Sequence, residues 1–176
     1  MGEVHIIGQI CGAYQFLETN LFCKWSIETG SGWKLLSGPI QGQTSVSRSN
    51  YRKASYWGYP IDVHFVSKTI KGWPKINLHI HHFDSYGRIH SFGYGQLHLP
   101  TSPGHHELTC YIWRPIGTIF QRVIQFFLGG SPQLSDPNSI GSPTDRYQLN
   151  TESMGIVKLE LYIVFRNYQE FGVEYK

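Results

Sequence analysis

Histidine is the residue type that most suggests chemistry in this chain, because nine of the 176 residues are histidines. His79 and His81 alternate within a strand-like segment, where such a pair shares one face of the strand at a spacing of about 6.7 Å. Two imidazoles on one face hold zinc when another strand adds ligands, and His64 and His98 are the candidates for that role. No Cys, Asp or Glu joins the pair in sequence, and a solvated strand face explains the same pattern. His79 and His81 are therefore weak metal candidates, and we predict neither a metal nor a cofactor.

The sequence motifs of common catalytic sites are missing. There is no G-x-S-x-G nucleophile elbow, and the four aspartates are isolated from one another. Gly93 and Gly95 stand within a strand pattern, where glycines indicate a bulge or a close backbone approach and not a phosphate loop. We therefore predict no catalytic residues and no enzymatic activity.

Basic side chains lie near tryptophans in two parts of the chain. Basic and exposed aromatic residues together suit an anionic membrane surface, with a contribution of about 1 kcal/mol per well-placed cation. The alternative is a solvated loop in which tryptophan covers the core, and we favour it because Trp is seldom fully exposed. The candidates for a membrane-facing or partner-facing surface are Arg52, Lys53, Trp57, Lys68, Lys71 and Trp73.

Composition limits the class of partner and the compartment. Lysine and arginine exceed aspartate and glutamate by 15 to 12, and a net charge of +3 is too small and scattered to indicate nucleic-acid binding. Cys11, Cys23 and Cys110 are odd in number and lack paired ligand spacing, which indicates a reducing compartment. No secretory signal and no apolar run of the ~18 residues that a membrane span requires are visible. We predict a cytoplasmic protein.

Apolar residues recur at every second position in five segments, as in strands with one buried face. Turn-forming clusters of Gly, Pro and Ser separate these segments. Seven to nine short strands of this kind are typical of an all-β antiparallel sandwich, here a single domain over residues 1–176. The segments with alternation are 4–10, 21–27, 61–65, 76–80 and 157–165.

One segment has a different period. Over residues 118–128 apolar doublets recur with a spacing near 3.6, which predicts one short helix. Thr118 and Gln121 have the spacing of a capping box, Gly129 suits the C-terminal cap, and Pro132 prevents continuation. We expect this helix to cover an open end or edge of the sandwich.

Short motifs distributed over the whole chain carry a family resemblance. The chain resembles the B9-domain family of C2-like proteins, and the order of the motifs is more specific than any one of them. Residues 46–55 and 135–144 do not match and are interpreted as variable loops. The matching segments are 4–9, 21–38, 56–65, 71–74, 84–88, 93–104, 113–115, 129–134, 145–147, 166–168 and 171–173.

The resemblance implies a C2-like β-sandwich that acts as a scaffold at the base of the cilium, in the basal body and transition zone, and along the axoneme. It implies two related partners, B9 domain-containing protein 1 and the Meckel syndrome type 1 protein, within the tectonic-like complex that controls access to the ciliary membrane. Many C2 domains bind calcium through clustered aspartates, but the corresponding loop here has Asp84 alone. Because calcium requires six to eight oxygen ligands, we expect no calcium site. A calcium-independent lipid-binding module remains the alternative.

Overall fold

The computed structural model describes residues 1–48, 54–116 and 151–168, and this part of the chain forms nine β-strands. The helix expected at residues 118–128 lies outside the described residues. The strands are β1 (Gly2–Tyr14), β2 (Leu21–Glu28), β3 (Trp33–Ser37), β4 (Gln41–Gln43), β5 (Ala54–Ser67), β6 (Lys75–Phe83), β7 (Ile89–His98), β8 (Gly104–Pro115) and β9 (Thr151–Arg166).

Buried and exposed side chains alternate along these strands, as the apolar alternation in the sequence predicts. In β9, Val157 and Leu161 are buried, whereas Lys158 and Tyr162 between and beyond them are exposed. Each fully buried aliphatic side chain contributes about 1.5–3 kcal/mol relative to an exposed one. The pattern therefore fixes which face of the strand meets the core.

All strand pairs are antiparallel, in the order β3-β5-β1-β9-β8-β7-β6-β2-β4. The sheet is narrowest between β7 and β8, where a single pair, Tyr94 and Trp113, is in register. We call β3-β5-β1-β9-β8 the first half and β7-β6-β2-β4 the second half. Buried side chains of both halves, such as Val63 and Leu78, belong to one hydrophobic cluster. The sheet therefore curls until its halves face each other across one core, which confirms the predicted antiparallel sandwich.

Two glycines let β7 lie close to β8. A Cβ added to Gly93 would lie 2.7 Å from Ile112 Cγ2, and one added to Gly95 would lie 2.6 Å from Ile112 Cδ1 and 2.7 Å from Cys110 Sγ. No real Cβ tolerates such distances, so these positions accept only glycine without a shift of the neighbours. The sequence left a bulge or a close backbone approach open at this pair. The structure shows both a register shift beside Gly93, between Ile80 and His81 of β6, and close packing against β8.

Candidate binding surfaces

Strand register assembles a row of polar and aromatic side chains on the outer face of the second half. Lys24 of β2 pairs with Gln43 of β4 on one side and with His79 of β6 on the other. His79 in turn pairs with Tyr94 of β7. Because directly paired residues of adjacent strands project from the same face, these four side chains lie in one line across the sheet.

His79 is held in place by its neighbours in this row. Its Nε2 lies 2.8 Å from Ser91 Oγ, and its ring stacks on Tyr94 with centroids 4.3 Å apart. The centroid of the His81 ring lies 3.9 Å from that of the His79 ring. The two histidines therefore form part of a packed aromatic layer and not of a solvated strand face.

His81 is the most deeply placed polar group of this surface. Its side chain is 8% exposed and stacks on Phe22 with centroids 5.0 Å apart. Neither ring nitrogen has a hydrogen-bond partner in the described chain. A buried polar group without a partner lowers the free energy of unfolding by about 1–3 kcal/mol. His81 therefore destabilises the fold at this position.

Both imidazoles are neutral at physiological pH. Burial lowers the pKa of His79 to about 4, with a smaller contribution from the nearby charge of Lys24. Burial, His79 and Lys24 together lower the pKa of His81 to about 3. Neutral imidazole can bind a metal, but no group of three metal-binding side chains comes together among the residues that the structure describes.

A cavity of about 700 Å³ opens beside this row. Its described lining contains no aspartate or glutamate, and Lys24 makes no ion pair with any described residue. The side chains of Ser26, Gln41 and Gln43 likewise make no hydrogen bond to described residues. The lining therefore combines one unpaired cation with several unused polar groups.

The outer face of the first half is different in character. Ile7 of β1 pairs with Tyr162 of β9, and Val164 follows two residues later on the same face. These three apolar side chains are 40%, 48% and 53% exposed. They form an apolar strip that is about half exposed, and the His105 ring packs against its Tyr162 with centroids 4.6 Å apart.

Three histidines paired with carboxylates surround this strip. His5 Nε2 lies 2.7 Å from Asp62 Oδ1, and His105 Nε2 lies 3.1 Å from Glu160 Oε1. His64 lies 3.4 Å from a carboxylate oxygen of Glu3 and stacks on His5. An apolar centre with a polar rim is the usual arrangement of a protein-binding surface.

Four of the six predicted basic and aromatic residues lie in the part of the chain that the structure describes. Trp57 and Trp73 are partly buried against the core, and their indole N–H groups donate to the carbonyls of Leu21 and Leu99. Lys68 and Lys71 are exposed in the turn between β5 and β6, with the exposed Ile70 between them. Arg52 and Lys53 lie outside the described residues.

Asp84 organises the turn between β6 and β7. Its Oδ1 accepts hydrogen bonds from the backbone N–H groups of Tyr86 and Arg88, and its Oδ2 contacts Arg88 Nε and His90 Nε2. Desolvation raises the pKa of Asp84, but these hydrogen bonds outweigh it and hold the pKa well below its usual range. Both oxygens are engaged, so Asp84 shapes the turn.

Comparison with solved structures defines the class of fold. A C2 domain of plant Extended Synaptotagmin 1 superposes with a TM-score of 0.50 at 12% identity, covering 92% of this chain and 93% of that one. At this identity the likeness concerns the fold alone. The curled antiparallel sheet is therefore a C2-like β-sandwich.

Comparison of sequences defines the family. The family model described as "Ciliary basal body-associated, B9 protein" matches residues 4–164. B9 domain-containing protein 2 of Danio rerio is 48% identical over 174 residues, and that of Homo sapiens is 47% identical, each covering 99% of both chains. B9 domain-containing protein 1 of Mus musculus is 32% identical over 96% of this chain and 84% of its own. The chain belongs to the B9 family, as the order of its motifs predicted.

The sequence did not single out several residues of these surfaces. Lys24, Gln43 and Ile7 each occupy an ordinary position in an alternating strand. Their partners across the sheet are far away in sequence, so only the strand register shows that they line a cavity or an apolar strip.

No helix among the described residues has the length and hydropathy to cross a bilayer.

Proposed function

We propose that this protein is a non-enzymatic scaffold of the ciliary transition zone. In this proposal it binds B9 domain-containing protein 1 and the Meckel syndrome type 1 protein within the tectonic-like complex, at the basal body and transition zone and along the axoneme. It thereby supports ciliogenesis and the ciliary membrane barrier. Membership of a family described as associated with the ciliary basal body supports this location.

The apolar strip of Ile7, Tyr162 and Val164 is the observation that carries the scaffold role. Contiguous exposed apolar side chains on an otherwise polar surface mark protein interaction sites. The ring of histidine–carboxylate pairs supplies the polar rim that such a site requires. Because the strip lies on the rigid centre of a sheet, a partner can bind it without ordering a loop.

Co-purification of the full chain with the two related B9-type proteins tests the proposal. The double substitution Ile7→Ser and Tyr162→Ser removes apolar contact area without touching the core, since both side chains point outward. We expect recovery of at least one partner to fall about tenfold or more, as for a central aromatic contact.

The matched control is Ile89→Ser with Tyr86→Ser, which changes the same residue types at exposed positions in the β6–β7 turn and at the start of β7. The control should retain wild-type recovery while both variants remain folded. Failure of the wild-type chain to recover either partner would contradict the scaffold role. Equal recovery by the two double variants would contradict the assignment of the strip.

Weak contact with an anionic membrane is a second candidate function, supported by the turn between β5 and β6. Ile70 is exposed between the cations Lys68 and Lys71. Trp33 Nε1 donates to the Lys71 carbonyl over 3.0 Å, and Ser67 Oγ accepts from Thr69 N, so the turn is held on the core. An apolar tip between two cations suits insertion at an anionic interface.

Flotation with vesicles of phosphatidylcholine containing phosphatidylserine tests this second candidate. We expect salt-sensitive binding without calcium that Lys68→Gln with Lys71→Gln abolishes. Lys34→Gln with Lys158→Gln, at two exposed positions elsewhere, is the control of equal charge change. Equal loss of binding in both double variants would show only a general charge effect and would contradict a role for this turn.

A further inference from the structure

The cavity beside Lys24 carries one positive charge that no described residue neutralises. Lys24 is exposed and makes no ion pair with a described residue. Here Lys24 lies beside two imidazoles that burial keeps neutral, and the described lining contains no carboxylate. The net charge of the described lining is therefore that of a single uncompensated ammonium group.

His81 supplies an independent observation at the same place. It is more than nine-tenths buried, lines the cavity, and neither ring nitrogen has a hydrogen-bond partner in the described chain. Buried polar groups without partners are rare and commonly mark a site that another group completes. The centroid of the His79 ring lies 3.9 Å from that of this unsatisfied imidazole.

The polar neighbours of Lys24 define the chemistry of a ligand. The amides of Gln41 and Gln43, free of hydrogen bonds to described residues, and the hydroxyl of Ser26 line the cavity together with Lys24. The Asn77 amide also lines it but is already hydrogen-bonded to Glu28 and Gln96. Amides and neutral imidazoles donate hydrogen bonds without adding charge. One cation among neutral donors matches one monoanion, a carboxylate, better than a dianionic phosphate, for which clustered arginines are the usual partners.

The position of β4 indicates how such a carboxylate is carried. β4 is the last strand of the sheet and pairs only with β2 among the described strands. A free strand edge pairs with an extended polypeptide, and alternate side chains of that polypeptide then project over the neighbouring face. An acidic residue in a strand added beside Gln41–Gln43 can therefore reach Lys24.

From these observations we infer that the cavity formed by Lys24, Gln41, Gln43, Asn77, His79 and His81 binds an acidic side chain on an extended segment of a partner protein. This inference goes beyond the proposed scaffold role. It concerns a different face from the apolar strip and holds whichever protein carries the segment. The carboxylate replaces water at Lys24 and accepts hydrogen bonds from the glutamine amides.

Nuclear magnetic resonance titration of the full chain tests the inference with a capped peptide of alternating glutamate and glycine. We expect chemical-shift changes concentrated in the backbone amides of β2, β4 and β6, and weakening of binding at higher salt. Lys24→Gln should weaken binding about two- to fivefold, the range for one exposed charge pair. Lys34→Gln, which removes an exposed lysine of β3 without an ion pair to described residues, should leave it unchanged.

Three outcomes would overturn the inference. Equal shifts with a matched peptide of glutamine and glycine would show that the carboxylate is not recognised. Stronger binding of inorganic phosphate at the same residues would identify a phosphate site instead. Shifts confined to other strands would show that the peptide binds elsewhere. None of these experiments involves the related B9 proteins. A negative result would therefore contradict this inference without contradicting the scaffold proposal.

Discussion

Gly72 contacts the backbone of Gly30 so closely that a Cβ on Gly72 would lie 2.5 Å from Gly30 Cα. The two loops are joined there by a hydrogen bond of 2.8 Å from Gly30 N to the Gly72 carbonyl. Gly72 also has a φ of +71°, in the left-handed region that favours glycine. This contact fixes the loop end of the sandwich that presents Lys68 and Lys71.

We therefore predict that Gly72→Ala lowers the free energy of unfolding by about 2–4 kcal/mol, since strain and a backbone clash add. Gly87→Ala is the matched control, because Gly87 has a φ of +81° but nothing within 4 Å of its added Cβ. Gly87→Ala should lower the free energy of unfolding by only about 1 kcal/mol, because only the strain of an alanine at positive φ contributes. Urea denaturation measures both, and equal losses would contradict a role for the Gly30 contact.

Gly95 provides a test of the close approach between β7 and β8. Gly95→Ala should destabilise the protein by about 1–3 kcal/mol, because the new methyl group meets Ile112 Cδ1 and Cys110 Sγ. Ile112→Val removes the Cδ1 atom and should recover part of that loss in the double variant. Thermal unfolding of the four proteins in a double-mutant cycle gives the coupling, and strictly additive effects would show that the two side chains do not meet.

Neutral histidines make stability depend on pH in a defined window. The pKa values of about 4 for His79 and about 3 for His81 lie below the value of about 6.5 in an unfolded chain. As pH falls from about 6.5 to about 4, the unfolded chain takes up protons that the folded protein does not, so each histidine costs up to about 1.4 kcal/mol per pH unit. Urea denaturation at pH 7.5 and pH 5 should show this loss.

His81→Phe should reduce this loss and raise the free energy of unfolding at pH 7.5 by up to about 1–3 kcal/mol, because it removes the unpartnered ring nitrogens. Phenylalanine stacks on Phe22 as the imidazole does, and no hydrogen bond to a described residue is lost. The same substitution should weaken binding of the acidic peptide, because it removes the polar ring from the cavity. A variant with an unchanged pH dependence would show that His81 is not held neutral by burial.

The three cysteines should differ in their rates of alkylation. Burial raises the pKa of Cys23 far above its usual range and that of Cys110 to about 12, whereas Cys11 is only half-buried. Since the thiolate is the reactive form, native protein should react with a maleimide at Cys11 first. Mass spectrometry of the modified peptides identifies the site, and Cys11→Ala should remove the early phase. Rapid modification of Cys23 in folded protein would contradict its burial.

The sequence by itself determined the strands, their buried faces and the family. Alternation in segments such as 157–165 is a local property, because successive side chains of an extended chain necessarily point to opposite faces. Gly93 and Gly95 signalled a close approach for an equally local reason, since only glycine lacks a Cβ. The mutual order of short motifs was sufficient to predict the B9 family.

Only the tertiary structure decided which of these faces become surfaces. Lys24, His79 and Tyr94 come from three strands, and no local pattern states that β2 lies between β4 and β6. His81 was expected on a solvated face and is buried, because the ring of Phe22 and that of His79 pack on it. Strand register depends on hydrophobic burial summed over the entire sheet, and it is this nonlocal sum that places the unpaired ammonium group beside two neutral imidazoles.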